Sequence, residues 1–250
     1  MSIENVSFKN SRGLTLSGVF HPAKGQERKQ WVMLSHGMLS TKDSRKHVSM
    51  SLALSELGFN VFRFDFSGQG ESEGESSIIT YSNGMDDLLC AIDLMEKRGA
   101  EKFILIGSSM GSAVSMLTSA QKGDKVATMA LMASVTKTGM IWEAMSDEER
   151  QQWKDEGYFV FHGNKVAIDL IEDGRTVDLA ACLKNFKGPV LFVHGENDEL
   201  IPFDQLSSFT KLHPGKTDLH KIVGADHRLS EEKHRQEAVN TIKNWLIENL

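Results

Sequence analysis

The sequence has few of the residues that mark special classes of protein. It contains only two cysteines, Cys90 and Cys182, which are far apart and lack the spacing of a metal site. We therefore expect two buried free thiols, no disulfide bond and no metal, as in a reducing cytoplasm. Only four prolines occur, and the 40% hydrophobic and 25% charged residues are ordinary fractions that exclude disordered, collagen-like and coiled-coil chains.

Long apolar runs and basic blocks are also missing. No stretch of about 18 apolar residues occurs, so we expect no membrane span. The opening residues MSIENVSFKNSRG lack a basic region followed by an apolar run, which predicts no secretory leader and a cytoplasmic location. The net charge is −6 without clustered basic residues, which argues against nucleic acid as a partner.

Short apolar runs alternate with segments of helical spacing along most of the 250 residues. Strands are predicted in a hairpin within the first twenty residues and at 31–34, 59–64, 103–106, 126–132, 190–193 and 218–223. Helices are predicted at 44–57, 81–98, 110–121, 203–211 and 231–249. This alternation predicts an α/β fold with a mainly parallel, doubly wound sheet and helices on both of its faces.

One segment interrupts the alternation. Residues 134–187 separate two predicted strands, whereas a crossover helix needs roughly 10–15 residues. We therefore divide the chain into a core of residues 1–133 and 188–250 and a small cap insertion of residues 134–187. The insertion is predicted to form an amphipathic helix and a hairpin around His162-Gly163-Asn164. It carries the aromatic residues Trp142, Trp153, Tyr158, Phe159 and Phe161. A lid over a site and a satellite core beside the sheet explain these aromatic residues equally well.

The pentapeptide Gly107-Ser108-Ser109-Met110-Gly111 lies directly after a predicted strand and directly before a predicted helix. At such a turn the glycines let the backbone pass closely, and the serine hydroxyl projects above the edge of the sheet. This context predicts that Ser109 is a nucleophile. The alternative is a glycine-rich turn in which Ser109 only caps the helix.

A serine hydroxyl is a weak nucleophile near neutral pH, so it needs a base and an acid that orients the base. Asp198 follows the strand predicted at 190–193, and His227 follows the strand predicted at 218–223. The chain order Ser109, Asp198, His227 is expected when the three groups follow successive parallel strands. The sequence therefore predicts that these three residues form a catalytic triad.

Other carboxylates compete for the role of the acid. Glu196 and Glu199 flank Asp198, but the preceding glycine turn and the following Ile-Pro favour Asp198. Asp226 adjoins His227, yet sequence neighbours rarely point at each other, so we interpret Asp226 as shaping its loop.

Other histidines compete for the role of the base. His36 and His194 follow strands, and we expect them to hold their loops by hydrogen bonds. The remaining six lie in polar stretches with no matching motif: His21, His47, His162, His213, His220 and His234.

Acyl transfer also needs donors where negative charge develops on the carbonyl oxygen, and removing one donor costs about 3–4 kcal/mol of transition-state stabilisation. The backbone N–H of Met110, directly after the nucleophile, is one candidate. The N–H of Met38, in the loop Ser35-His-Gly-Met-Leu39, is the other. The alternative for the second loop is a plain turn between a strand and a helix.

Five motifs occur in a fixed order: His36-Gly37, Phe64-Asp-Phe-Ser-Gly-Gln-Gly-Glu-Ser72, Gly107-Ser-Ser-Met-Gly111, His194-Gly-Glu-Asn-Asp198 and Gly224-Ala-Asp-His227. With an insertion after the sixth strand, this set resembles the α/β-hydrolase superfamily over nearly the whole chain. Within it, the pattern looks like the small capped carboxylesterases of the monoacylglycerol-lipase and cinnamoyl-esterase type. The serine motif and Asp-His-Arg-Leu-Ser230 are also similar to acyl-protein-thioesterase-like hydrolases.

The resemblance implies the same roles: Ser109 as nucleophile, Asp198 as acid, His227 as base, and the N–H groups of Met38 and Met110 as oxyanion donors. Two positions depart from the pattern. Ser108 stands where many members have His, and Ser112 stands where many have a second Gly.

The expected activity is hydrolysis of carboxylic esters of acyl or aromatic acids, through an acyl intermediate on Ser109. A small-molecule ester or thioester is the expected partner. No G-x-G-x-x-G motif, P-loop or His/Cys cluster occurs, so we expect no cofactor. An acyl thioesterase, an aminopeptidase-like amidase and a non-catalytic ligand receptor are the alternatives.

Overall fold

This computed structural model describes residues 2–139, 142–143, 145–161 and 163–250. The described residues form ten strands and eight α-helices, together with two short 3₁₀ helices, Ser76–Ile78 and Gly123–Lys125. The strands are Glu4–Lys9 (β1), Thr15–His21 (β2), Gln30–Ser35 (β3), Val61–Phe64 (β4), Lys102–Ser108 (β5), Val126–Met132 (β6), Tyr158–Phe161 (β7), Asn164–Ala167 (β8), Val190–Gly195 (β9) and Thr217–Ile222 (β10). The helices are Arg45–Glu56 (α1), Tyr81–Lys97 (α2), Met110–Lys122 (α3), Asp147–Glu156 (α4), Asp169–Gly174 (α5), Leu179–Asn185 (α6), Phe203–Thr210 (α7) and Glu232–Asn249 (α8).

Eight of these strands form one sheet in the order β1-β2-β4-β3-β5-β6-β9-β10. Strand β2 is antiparallel to both of its neighbours, and every other neighbouring pair from β4 to β10 is parallel. The α/β class with a mainly parallel sheet is therefore confirmed. Because parallel strands end at the same edge of a sheet, the loops after β3, β5, β9 and β10 lie along one rim.

Helices cover both faces of the sheet. Along β5, Phe103 and Leu105 belong to the apolar cluster that includes residues of α2, α3 and α6, whereas Ile104 and Ile106 belong to the cluster that includes residues of α1 and α8. Successive side chains of a strand point to opposite faces, so β5 is apolar on both. Both faces thus hold a core, and polar residues are left for the rim.

The predicted strand at 59–64 begins only at Val61. Helix α1 ends in a left-handed Gly58 (φ 86°), and the N–H of Phe59 donates to the carbonyl of Leu54 at 3.1 Å. This arrangement is a Schellman cap, which uses the Phe59 N–H to end the helix. Phe59 is consequently not free to pair in the sheet.

The two cysteines are free, as predicted, but they are only partly buried. The expectation of two fully buried thiols was wrong. Cys90 lies on α2 within 4.0 Å of the Asp86 carboxylate, and Cys182 lies on α6. Both helices cover a face of the sheet, and neither cysteine is on the fully covered side of its helix.

The segment between β6 and β9 contains α4, the antiparallel hairpin β7–β8, α5 and α6. The hairpin lies where the sequence predicts it, although His162 itself is outside the described residues. Trp153 is 1% exposed, and its ring centroid lies 6.0 Å from that of Trp142 and 5.1 Å from that of Phe159. Trp142, Trp153, Phe159 and Phe161 pack on one another, as a satellite core requires. The division into core and cap, and a lid role for the segment, stay predictions.

Candidate active site

Ser109 occupies a sharp turn between β5 and α3. Its backbone has φ 53° and ψ −120°, a conformation that costs a non-glycine residue about 1–3 kcal/mol. The N–H of Ser109 donates to the Met132 carbonyl of β6 at 2.9 Å, which ties the turn to the neighbouring strand. The side chain is half-buried at the rim. The strained turn thus holds a hydroxyl at the carboxyl end of the sheet.

Close backbone approach explains two glycines around this turn. A Cβ on Gly111 would lie 2.2 Å from the Ser35 carbonyl oxygen, so any side chain there would push α3 away from β3. A Cβ on Gly37 would lie 3.2 Å from the Cβ and 3.8 Å from the Oγ of Ser109. The loop after β3 therefore packs directly against the serine.

Ser112, one of the two departures from the resembled pattern, bonds to this turn. Its hydroxyl donates to the Ser109 carbonyl at 2.6 Å and accepts from the Val135 N–H at 3.1 Å. A glycine could make neither contact. Ser112 thus links the turn to the chain just after β6, a role that no sequence motif indicates.

His227 lies in the loop after β10, and its side chain reaches Ser109. Its Nε2 is 3.0 Å from Ser109 Oγ, and its Nδ1 is 2.8 Å from Asp198 Oδ2 and 3.0 Å from Oδ1. An ionised carboxylate can only accept, so Nδ1 carries the proton and Nε2 is left to accept from the serine hydroxyl. The structure thus brings together the three residues that the sequence predicts as a triad.

The carboxylate of Asp198 has several donors. Its side chain has no exposed surface, and Oδ1 accepts from the N–H groups of Leu200 at 3.0 Å and Ile201 at 2.8 Å. Burial acts to raise the pKa of Asp198, but the hydrogen bond and charge of His227, with the Ile201 N–H, outweigh it and hold the pKa below its ordinary value. Asp198 is accordingly an anion at neutral pH.

The competing carboxylates bind elsewhere. Glu196 pairs with Lys221 at 2.9 Å, and Asp226 accepts from the N–H and hydroxyl of Ser230. Glu199 accepts from the backbone N–H of His227 at 3.2 Å, so it holds the loop and not the imidazole ring.

His194 contributes a contact that the sequence does not reveal. Its Nε2 lies 2.8 Å from the Ile201 carbonyl oxygen and 3.1 Å from Asp198 Oδ2, and both atoms are acceptors. Nε2 therefore carries the proton and donates to the carboxylate as well as to its own loop. Burial, which outweighs these acceptors, lowers the pKa of His194, so the ring is neutral. In the sequence, only the four-residue spacing between His194 and Asp198 indicates that the two side chains can meet.

The N–H of Met110 belongs to the first residue of α3, so it has no carbonyl one turn earlier in the helix. The N–H of Met38 belongs to the same peptide as the Gly37 carbonyl, which lies 2.8 Å from His36 Nδ1. Phe66 N–H donates to His36 Nε2 at 3.1 Å, so the ring proton is on Nδ1 and points at that carbonyl. In a trans peptide the N–H points opposite to the C=O, so His36 sets the direction of the Met38 N–H.

The glycine-rich loop after β4 braces the loop after β3. Asp65 accepts from the backbone N–H of Lys42 at 2.6 Å, from its ammonium at 2.9 Å and from the Glu71 N–H at 3.0 Å. The Leu39 N–H donates to the Gln69 side chain at 2.5 Å. A cavity of about 270 Å³ lies between these two loops and is also lined by Asn164 of the β7–β8 hairpin.

Within the described ranges, no cluster of three or more His, Cys, Asp or Glu side chains is arranged to hold a metal ion. No helix formed by those residues combines the length and apolar character that crossing a membrane requires.

Comparison with known proteins assigns a family and a fold. The model of the serine aminopeptidase S33 family matches residues 26–155. The mouse palmitoyl-protein thioesterase ABHD10, a mitochondrial protein, is 24% identical over 245 residues, which cover 92% of this chain and 75% of the mouse protein.

Two solved structures share the fold along almost the whole chain. A hydrolase from Agrobacterium vitis superimposes with a TM-score of 0.84 at 24% identity and covers 98% of this chain and 99% of its own. Est1E from Butyrivibrio proteoclasticus, solved with ferulic acid bound, superimposes with a TM-score of 0.81 at 19% identity and covers 98% of each chain.

Proposed function

Because this chain belongs to the serine aminopeptidase S33 family of α/β hydrolases, we propose that it is a serine hydrolase that cleaves carboxylic esters through Ser109, His227 and Asp198. The observation that carries the proposal is the continuous hydrogen-bonded array from Ser109 Oγ through the imidazole to the buried carboxylate. Such an array, at the end of a strand and the start of a helix, lets a serine hydroxyl act as a nucleophile.

The reaction has two stages. Ser109 Oγ bonds to the ester carbonyl carbon while its proton passes to His227 Nε2, and Asp198 stabilises the imidazolium. His227 then returns the proton to the leaving alcohol as the ester C–O bond breaks, which leaves an acyl group on Ser109. Water next loses a proton to Nε2 as its oxygen bonds to the acyl carbon. His227 then returns that proton to Ser109 Oγ as the bond between the acyl carbon and Oγ breaks, which releases the acid and restores the serine hydroxyl.

The N–H groups of Met38 and Met110 are proposed to bind the carbonyl oxygen as it gains negative charge. Two observations support this role: the loop of Gly37 packs on Ser109, and His36 directs the Met38 N–H through the shared peptide. Donors held in place before reaction need no reorganisation when the charge develops.

The segment of residues 134–187 is proposed to act as a cap over the substrate. The β7–β8 hairpin supports this, because the Ser76 hydroxyl donates to the backbone carbonyl of Lys165 at 2.8 Å and Asn164 lines the cavity beside the Met38 loop. The aromatic residues of the segment favour an acyl or aromatic acid as the substrate. A cytoplasmic location stays a prediction.

Thioester hydrolysis is a second candidate function. The name of the mouse relative, a palmitoyl-protein thioesterase, favours it, and the same three residues can perform it with a thiol as the leaving group. A panel of esters and matched thioesters with graded acyl lengths would separate the two activities.

The test of the proposal is the Ser109→Ala variant, assayed with p-nitrophenyl butyrate and with a fluorophosphonate probe. We expect hydrolysis and labelling to fall to the background level while the circular dichroism spectrum and the unfolding midpoint remain near those of the parent. Ser119→Ala is the matched control, because it removes another serine hydroxyl of α3, which among the described residues bonds only to the Met116 carbonyl. Retained hydrolysis in Ser109→Ala would show that the nucleophile is misassigned, and an unlabelled parent protein would favour a receptor.

A further inference from the structure

Lys46, on α1, contacts the turn that holds Ser109. Its Nζ donates to Ser108 Oγ at 2.7 Å, and Ser108 directly precedes Ser109. Ser108 is 1% exposed and lies two positions beyond Ile106, on the face of the sheet that α1 covers. Ser108 is one of the two departures from the resembled pattern, so this lysine contact is a feature of this chain.

The charge of Lys46 is not neutralised by a neighbouring carboxylate. Within the part of the chain that the structure describes, no carboxylate lies at ion-pair distance from Nζ. Ser108 Oγ accepts a hydrogen bond from one of the three N–H groups of the ammonium, so two donors are unused within that part. Burial lowers the pKa of Lys46 to about 8; the charge of Arg228 also lowers it, and Asp226 opposes this change. Asp226 is already engaged by Ser230.

Arg228 is a second cation without a counter-ion. It directly follows His227 in the chain and is exposed, and among the described residues its guanidinium has no hydrogen-bond acceptor or ion pair. Arg235 differs, because it donates to two backbone carbonyls and pairs with Glu232 at 2.6 Å. Two cations with unused donors thus lie beside the triad: Lys46 contacts Ser108, which precedes Ser109, and Arg228 follows His227. Both contribute a positive potential there.

We propose that Lys46 and Arg228 bind an anionic oxygen group of the substrate, a carboxylate or a phosphate, beside the ester that Ser109 attacks. This inference rests on the proposed serine hydrolase and adds a substrate class to it. Such groups accept charge-assisted hydrogen bonds from ammonium and guanidinium. Lys46 contacts the residue that directly precedes Ser109, so an anion held there is proposed to belong to the same substrate as the ester that Ser109 attacks.

Two parts of a substrate could carry this anion. It stands at the end of a short acyl chain, as in a half-ester of a dicarboxylic acid, or it belongs to a leaving group that bears a phosphate. The chemistry of recognition is the same in both cases, and substrate pairs distinguish them.

The charge of Lys46 also predicts a pH dependence. Besides Ser108 of β5, the charged and titratable groups that act on it are His36 after β3, His47 of α1, Asp226 and Arg228 after β10, and Arg235 of α8. Burial lowers the pKa of both histidines, so they stay neutral as Lys46 titrates. Above about pH 8 Lys46 loses its charge, and the preference for an anionic substrate decreases.

The first experiment compares kcat/KM for the p-nitrophenyl monoester of glutaric acid with that for p-nitrophenyl pentanoate, which has a similar length and no charge. The second compares the butyryl thioesters of phosphopantetheine and of N-acetylcysteamine. We expect the anionic-to-neutral ratio of one pair to fall about tenfold in Lys46→Gln and in Arg228→Gln, as for the loss of a charged contact. The affected pair identifies the part of the substrate that carries the anion.

Arg45→Gln is the matched control, because Arg45 is the adjacent, exposed cation of the same helix. It should leave both ratios within twofold of the parent. Lys46→Arg keeps the charge, so it should retain the ratio and remove its decrease above about pH 8. If the anionic-to-neutral ratio of kcat/KM is the same in Lys46→Gln as in Arg45→Gln for both substrate pairs, the inference is wrong. Hydrolysis of neutral esters would then still support the proposed function.

A binding measurement makes the result independent of turnover. In the Ser109→Ala background, calorimetric titration with monomethyl glutarate and with phosphopantetheine should detect binding of one of them, weakened at least tenfold by the additional Lys46→Gln change. If the parent protein hydrolyses no ester and reacts with no fluorophosphonate, the proposed function fails, and this titration still decides the anion site. Equal affinity with and without Lys46 would refute it.

Discussion

The Asp198→Asn variant tests the proposed mechanism most directly. Oδ1 of Asp198 accepts from two backbone N–H groups, so the asparagine oxygen should take that position. Its NH₂ group then faces His227 Nδ1, in place of an oxygen that was 2.8 Å away. The amide donates to Nδ1, so the ring proton moves to Nε2, and Nε2 can no longer accept the proton of Ser109.

The expected loss follows from this change of tautomer. A wrong tautomer in an otherwise intact triad lowers kcat by about 10⁴, which corresponds to about 5.4 kcal/mol of activation free energy. The buried anion is also removed, so the imidazolium that forms during reaction loses its counter-charge. We expect kcat for p-nitrophenyl butyrate to fall by roughly 10³ to 10⁴, with a much smaller change in KM.

Steady-state hydrolysis assays and the rate of fluorophosphonate labelling both measure the fall in kcat of Asp198→Asn. The matched control is Glu196→Gln, which makes the same chemical change at a competing acid that pairs with Lys221. Its kcat should stay within threefold of the parent. A fall of less than tenfold in Asp198→Asn, with the protein folded, would refute the assignment of Asp198.

Three further changes test the loop beside Ser109, the turn of α3 and the stability of the fold. Gly37→Ala places a Cβ 3.2 Å from that of Ser109, so the loop that carries the proposed donor Met38 must shift, and we expect kcat to fall about 10²-fold in steady-state assays. Ser112→Ala leaves the Val135 N–H without its acceptor, and we expect the free energy of unfolding in urea to fall by about 1–3 kcal/mol. The pKa of His21 is lowered to about 4, chiefly by burial, so protonation favours the unfolded chain and stability should decrease as pH falls from 6.5 towards 4. His21→Gln should flatten that decrease.

Each of these expectations has an outcome that contradicts it. Unchanged kcat in Gly37→Ala would mean that the loop tolerates the methyl group and does not position a donor. Ser115→Ala, which removes a hydroxyl bonded to the Gly111 carbonyl inside α3, is the control for Ser112→Ala, and equal effects would deny Ser112 a special role. A stability curve unaltered by His21→Gln would show that His21 does not stay neutral in the folded protein.

Local patterns were enough to predict most of the elements. Helix α2 was predicted at 81–98 and spans Tyr81–Lys97, and β6 has the bounds predicted for it. These elements follow from side-chain periodicity and from end signals within a few residues, which sequence displays directly. The strand at 59–64 was placed too early, because the Phe59 N–H caps the preceding helix through a contact that periodicity does not reveal.

Contacts between distant segments could not be predicted in this way. The donation from His194 to Asp198 depends on how the chain after β9 turns, and the contact from Lys46 to Ser108 joins residues 62 positions apart. No short motif records either contact, because each depends on two elements that are packed against a third. The strand order of the sheet likewise had no local signal.

The sequence by itself determined the class of fold and the residues worth testing, because alternating strands and helices leave chemistry-bearing loops at the strand ends. Ser109, Asp198 and His227 were chosen from their places after strands, from the motif around the serine and from their order along the chain. Only the tertiary structure decided which atoms meet: the tautomer of each histidine, the donors around Asp198, and the cations beside the serine. Those facts depend on distances of about 3 Å between hydrogen-bonding atoms, and such distances are set by the packing of both faces of the sheet.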